Sequence, residues 1–407
     1  MVYRFRWDLQ ADWRRKLSRY GSCAIAALLV GCTHNSASNS ALPEDATWFD
    51  VLGATVEPEW SAEEHREFDF WIGEWQMNWR RKQQGQFYHD TEGSWTQQRV
   101  FPVLDGKAIV ELAWERDTPE TPSRRGFSIR YFDEDQQKWV MTQNWMGPAG
   151  TGTAFVDQLI GESYHGRRTM YSVVQRPSGD GTLQTEYRRY NFTDIRPGKG
   201  FRWDGSNTSD EGKSWYTWYI VDAHYQGELD THAVAGEPLP GVHQESLCTD
   251  APHGAYDQLQ GSWQGELVSD QGSVNIVEFT GGKLLDGCAI LGVLDFDTHK
   301  SLLALGYLER FKSWVIFYLD NQPGTKHAYF VSNDTAKPGQ FHAAPLLSIS
   351  DEFMPYITSV SFQELELGRY VSIDQLSADG FTLSLPADPH AASEASQVYT
   401  INFKRKL

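Results

Sequence analysis

The chain has 407 residues, with 36 basic and 54 acidic side chains and a formal charge of −18. That length exceeds one ordinary hydrophobic core and implies two domains. The acidic balance excludes nucleic acid as a partner, and anionic lipid headgroups as a direct anchor.

At the N-terminus, Arg14, Arg15, Lys16 and Arg19 precede a short apolar run from Cys23 to Val30, closed by Gly31-Cys32. The run is too short to span a bilayer as a helix, and its flanks fit an export signal. Leu29-Val30-Gly31-Cys32 resembles the bacterial lipobox. The resemblance implies removal of residues 1–31 and a lipid on Cys32. Removal takes six basic and two acidic residues, leaving 30 and 52, a charge of −22. Membrane attachment is then expected through the lipid alone. Thr33 lacks the Asp of an inner-membrane retention signal, so the expected address is the outer membrane, facing the periplasm. Residues 32–60 read as a flexible tether, because small polar residues dominate their start. Of the cysteines left after Cys32, Cys248 and Cys288 sit in an oxidising compartment. They form either one disulfide or two buried thiols.

Ser61-Ala62-Glu63-Glu64 has the form of a capping box and predicts a short helix running into Phe68. FDFWIGEWQ follows, from Phe68 to Gln76, and from Gly73 the pattern becomes short strands separated by turn residues. Phe127, Ile129 and Tyr131 alternate with Ser128 and Arg130, which marks a strand with two unlike faces. Residues 61–225 thus read as one β domain, 226–252 as a Pro/Gly linker, and 253–407 as a second β domain.

The two domains echo each other. YDQLQGSWQ, from Tyr256 to Gln264, repeats the aromatic, Asp, Gly and Trp-Gln of the first motif but loses Phe70, Trp71 and Glu74. LDGKAIV from Leu104 matches LDGCAIL from Leu285. Tyr131 with Lys138-Trp139-Val140 matches Tyr307 with Lys312-Ser313-Trp314-Val315. Three landmarks in one order indicate an internal repeat whose loops have drifted in length. The shared residues Gly73, Trp75, Gly261 and Trp263 are what a barrel's closing strand needs.

Gly-x-Trp at the start of such a domain resembles the lipocalin and calycin superfamily. The first domain resembles a bacterial lipocalin-like family of unknown function, through FDFWIGEW, LDGKAIVELAW, RGFSIRYFDEDQQKW and the SDEGKSW segment ending at Trp215. The resemblance implies an all-β fold: two tandem lipocalin-like antiparallel β-barrels, each closed at one end by its motif Trp and open to ligand at the other. About eight strands would enclose one small molecule. Lipocalins often lay a late Arg over the motif Trp. Arg405 is placed for this in the second domain, but Lys213–Tyr225 of the first holds no Arg.

The chain carries no metal, nucleophile-elbow or phosphate-loop motif, so no cofactor and no metal are expected. The candidate ligand-binding residues are Trp95, Glu111, Trp139, Trp145, Glu186 and Arg188. The tryptophans are either pocket lining or core packing. The charged residues lie either inside the barrel, partly desolvated, or on the solvent face of alternating strands. Three functions stay open: a carrier or sensor of a small hydrophobic or amphipathic ligand, a lipocalin-like enzyme of hydratase, isomerase or pericyclase type, and an envelope scaffold.

Overall fold

The structure is a computed structural model. It describes residues 46–55, 63–83, 85–89, 95–115, 125–146, 157–164, 166–177, 182–210, 212–235, 248, 252–268, 274–308, 312–322, 327–331, 339–343, 346–349, 360–363, 370–386 and 398–406. Residues 1–31, expected to be an export signal, and Cys32 lie outside these.

The first sheet is a meander of β1 (Gly73–Gln83), β2 (Gln86–His89), β3 (Trp95–Val103), β4 (Ala108–Glu115), β5 (Arg125–Asp133), β6 (Lys138–Met146), β7 (Asp157–Tyr164), β8 (Arg167–Pro177), β9 (Leu183–Arg196), β10 (Gly200–Thr208) and β11 (Tyr216–Gly227). β1 pairs with β3 along one edge and with β11 along the other, so the meander returns to its own start. The second sheet runs through β12 (Gly261–Val268), β13 (Val274–Leu284), β14 (Ala289–Asp295), β15 (Lys300–Leu308), β16 (Ser313–Asp320), β17 (His327–Val331) and β18 (Gln340–Ala343). A hairpin, β19 (Leu346–Ile349) and β20 (Val360–Gln363), interrupts it and reaches β7 and β8 of the first barrel. The ring then continues with β21 (Tyr370–Asp374), β22 (Gly380–Pro386) and β23 (Val398–Arg405), which closes it against β12. All pairings are antiparallel. The second ring has ten strands, more than the eight expected.

Both barrels close at one end by the same device. A 3-10 turn, Asp69–Trp71 in one and Asp257–Leu259 in the other, leads into a glycine with positive φ, Gly73 (125°) and Gly261 (117°). The motif Trp then donates its indole N–H to the last residue of the turn. Trp75 Nε1 reaches the Trp71 carbonyl at 2.7 Å, and Trp263 Nε1 the Leu259 carbonyl at 3.0 Å. Arg405 lies over Trp263 at 4.0 Å and also donates to the Gln260 carbonyl. Its register partner is Trp263, and the register partner of Trp75 is Tyr225. Tyr225 packs edge-on against Trp75 at 5.2 Å. The first barrel thus covers its plug with an aromatic ring where the second uses a guanidinium. Before this plug, where a short helix is expected, Glu63–Arg66 forms a 3-10 helix.

The barrels meet through their outer walls. On β4, Ala108, Val110, Leu112 and Trp114 face the second barrel, while Ile109 joins the interior of the first. The matching residues Ala289, Leu291 and Val293 of β14 return the contact, and one apolar cluster spans both walls. At its edge lie two identical connections. Leu104, Asp105 and Gly106 have φ of 54°, 56° and 91°, and Leu285, Asp286 and Gly287 have 56°, 55° and 90°. Each aspartate crosses to the other barrel. Asp105 accepts from Lys300 Nζ at 2.7 Å, and Asp286 accepts from Arg125 Nε at 2.5 Å. Arg125 and Lys300 hold the same place in their barrels, six residues before the partners of Ala108 and Ala289. The contact is therefore reciprocal, as in a two-fold interface built inside one chain. The same register aligns Trp139 with Trp314, and Phe132 with Tyr307. Tyr131, matched to Tyr307 from the sequence, instead faces the interface.

Two stretches expected to be loose carry structure here. Inside the tether, Trp48–Leu52 forms a helical turn, α1, capped reciprocally by Thr47 and Asp50. Trp48, Val51 and Leu52 are fully buried in the interface cluster, because three large apolar residues on one turn need cover. Inside the linker, Val234 bridges back to Thr47, and Cys248 is buried in a disulfide with Cys288, at a Cα separation of 4.9 Å. The bond closes a loop of sequence separation 40 at the interface. Its loss is expected to cost about 2–4 kcal/mol. Urea unfolding of the Cys248→Ser/Cys288→Ser double variant should show that loss, and an unchanged midpoint would refute it.

Candidate functional site

The alternation of strands that feeds the interface sends the opposite residues of the same strands inward. On β4 these are Ile109, Glu111, Ala113 and Glu115, and on β5 they are Ser128 and Arg130. Glu111 and Arg130 are 3% and 1% exposed. Arg130 Nη2 donates to Glu111 Oε2 at 2.5 Å, and Ser128 Oγ donates to the same oxygen at 2.6 Å. The Arg130 guanidinium carbon lies over the Trp71 ring, 3.7 Å from its centroid, a cation–π contact in a dry setting. Trp71 Nε1 donates to Gln98 Oε1 at 3.1 Å. Burial pushes Arg130 below its ordinary pKa, and Glu111 opposes that shift.

Trp71 is the hub of this floor. Phe201, Phe192 and Trp203 surround it with ring centroids 4.7, 5.2 and 6.0 Å away. Next to it, Arg130 Nε and Nη1, Gln98 Nε2 and Trp203 Nε1 are buried donors with no acceptor among the described residues. Above the floor come Trp79, Tyr190, Trp203 and Tyr219, in mutual ring contact. Nearer the other end, inward charges reappear. Arg81 approaches Glu115 at 3.5 Å, and Arg188 Nε meets Glu186 at 3.1 Å. The Arg81 side chain is 41% exposed, so solvent reaches inward-facing groups at the end away from the plug.

The second barrel provides an internal comparison. Register places Gln98 opposite Trp75 and Phe279 opposite Trp263. It also sets Glu111 beside Ser128 and Gly292 beside Leu303, with Arg130 and Leu305 as the next inward residues. The polar set Trp71, Gln98, Glu111, Ser128 and Arg130 therefore has Leu259, Phe279, Gly292, Leu303 and Leu305 in its place. The Phe279 ring occupies the space. A Cβ on Gly292 would lie 2.5 Å from it, and one on Gly281 2.7 Å. At these positions the second barrel is a packed apolar core.

Of the residues expected to bind ligand, Glu111, Glu186 and Arg188 point inward. Trp139 is buried near the plug, against Phe68 at 4.8 Å and Phe132 at 6.1 Å. The side chains of Trp95 and Trp145 lie outside the described residues. Trp71, Gln98, Ser128 and Arg130 were not singled out from the sequence.

In the SDEGKSW segment, Asp210 holds a turn together. Asp210 accepts from the Ser214 hydroxyl at 2.7 Å, the Thr208 hydroxyl at 2.6 Å and the Ser214 N–H at 3.0 Å. These bonds hold its carboxyl down to about 2. A folded value below the unfolded one, about 3.9, stabilises above about pH 4 and is lost as pH falls toward 2. An NMR titration should show Asp210 titrating near pH 2, and a midpoint near 4 would contradict the bonding.

No family model and no curated protein matches the chain. Among solved structures it is similar to a protein of unknown function from the DUF3598 family of Nostoc punctiforme. That match has 10% identity, covers 85% of this chain and 100% of the other, and has a TM-score of 0.23. A putative AttH from Nitrosomonas europaea matches at 11% identity, 87% and 100% coverage, and a TM-score of 0.12. The functional reading rests on the site's own geometry.

Proposed function

We propose that the chain is a lipid-anchored, periplasm-facing protein whose first barrel binds a small hydrophobic or amphipathic molecule, as carrier or sensor. The observation that carries this reading is the contrast between the two interiors. The same fold is built with Leu259, Phe279, Gly292 and Leu305 in one barrel and with Trp71, Gln98, Glu111 and Arg130 in the other. A buried ion pair is a poor way to stabilise a core that apolar residues already fill elsewhere. Polar groups at the floor of an otherwise aromatic interior are the usual arrangement of a ligand site.

The neutral dye N-phenyl-1-naphthylamine tests the reading. Saturable binding with one dye per chain is expected, and it should disappear when Gln98→Phe, Glu111→Gly and Arg130→Leu copy the second barrel. Equal binding by both forms would overturn it. The lipid anchor has its own test. A Cys32→Ala protein should leave the membrane fraction, and retention there would refute the anchor. The disulfide supports an oxidising compartment.

A second reading has one specific observation behind it. Glu111 is buried, inward and bonded to both Ser128 and Arg130, which suits a positioned proton donor or acceptor in an enzyme of hydratase or isomerase type. Conversion of a bound apolar substrate that stops in Glu111→Gln, with binding retained, would favour it.

A further inference from the structure

We infer that the ligand of the first barrel presents an uncharged carbonyl group, of a ketone, ester or amide, to the floor around Trp71. The inference rests on the ligand-binding reading above and adds the chemistry of the group recognised. The buried atoms without partners at the floor are all donors: Arg130 Nε and Nη1, Gln98 Nε2 and Trp203 Nε1. Each needs a lone pair, and leaving such groups unmet in a dry interior is costly. Their residues gather around one ring. Arg130 lies 3.7 Å over Trp71, Gln98 accepts from the Trp71 indole, and Trp203 is 6.0 Å from it. A ligand that brings acceptor atoms is therefore favoured over a hydrocarbon or a protonated amine, which bring none.

Charge decides between the acceptors. Arg130 is already balanced by Glu111, with side chains 1% and 4% exposed. A carboxylate or phosphate placed there would leave one buried negative charge without a partner, which is strongly unfavourable. A carbonyl oxygen meets the donors and adds no net charge. The rings of Trp79, Tyr190 and Tyr219 stand above it to flank an apolar chain.

Isothermal titration of the full-length protein with a matched set of undecane, 2-undecanone and undecanoate tests this. The ketone should bind about tenfold tighter than the hydrocarbon, the yield of one bond to a charged donor, and tighter than the carboxylate. Glu111→Gly combined with Arg130→Leu should erase the difference between ketone and hydrocarbon while both still bind. Trp203→Phe, which keeps a ring and removes one donor, should narrow it. Equal affinity of ketone and hydrocarbon for the natural chain would overturn the carbonyl assignment and identify water as the partner of these donors. Tighter binding of undecanoate would overturn the uncharged assignment. Binding of none of the three would instead contradict the underlying reading of a ligand-binding barrel.

Discussion

Glu111→Ala is expected to destabilise the protein by about 3–5 kcal/mol, the cost of leaving a buried guanidinium without its carboxylate. Arg130 is 1% exposed, too little for water to replace the partner, and its pKa is already lowered by burial. The combined variant Gln98→Phe, Glu111→Gly, Arg130→Leu should instead lie within about 2 kcal/mol of the natural chain, because a packed apolar floor replaces a charged one. The second barrel demonstrates that packing with Phe279, Gly292 and Leu305. Urea unfolding of the two variants side by side reads both numbers. If the combined variant is as unstable as Glu111→Ala, the polar floor serves the fold, and the argument from the two interiors fails.

Arg125→Met is the second large effect expected, again about 3–5 kcal/mol. Arg125 is fully buried, and its partner Asp286 is 6% exposed on the other barrel. Removing the cation leaves the aspartate trapped in the interface. Adding Asp286→Asn should recover part of the loss, since Asn also tolerates the φ of 55° at that position. The equivalent pair Lys300–Asp105 is an internal control. Its side chains are 32% and 58% exposed, so Lys300→Met should cost under about 1 kcal/mol. Comparable losses at both pairs would show that burial is not what distinguishes them.

Much of the fold was legible because the repeat was. Gly73 and Gly261, Trp75 and Trp263, and the two Leu-Asp-Gly connections occupy matching places in the two barrels. What the sequence could not reveal was which face of a strand is inside. Alternation of Phe127, Ile129 and Tyr131 with Ser128 and Arg130 identifies two faces but not their directions. Here the apolar face turns outward, because the second barrel covers it, and the polar face turns in. That inversion buries Glu111 and Arg130 together. Trp139, expected near the ligand, packs against Phe68 by the closed end. Trp71 was visible only as a difference. The second motif loses it, and Leu259 stands there instead. Read as decay of a repeat, the loss is uninformative; beside Gln98 and Arg130 it marks where the barrels diverge in use. The burial of Trp48, Val51, Leu52 and Cys248 was not legible, because the cluster that covers them draws on both barrels, distant in sequence.

The most direct measurement of the central claim, that the first barrel's polar floor exists for a ligand, is native mass spectrometry of protein purified from its native host. The natural chain should carry a small neutral organic molecule in a one-to-one complex, and the Gln98→Phe, Glu111→Gly, Arg130→Leu variant should be folded and free of it. The same molecule on both forms, or a folded natural chain that carries none and binds none of the undecane series, would contradict the claim.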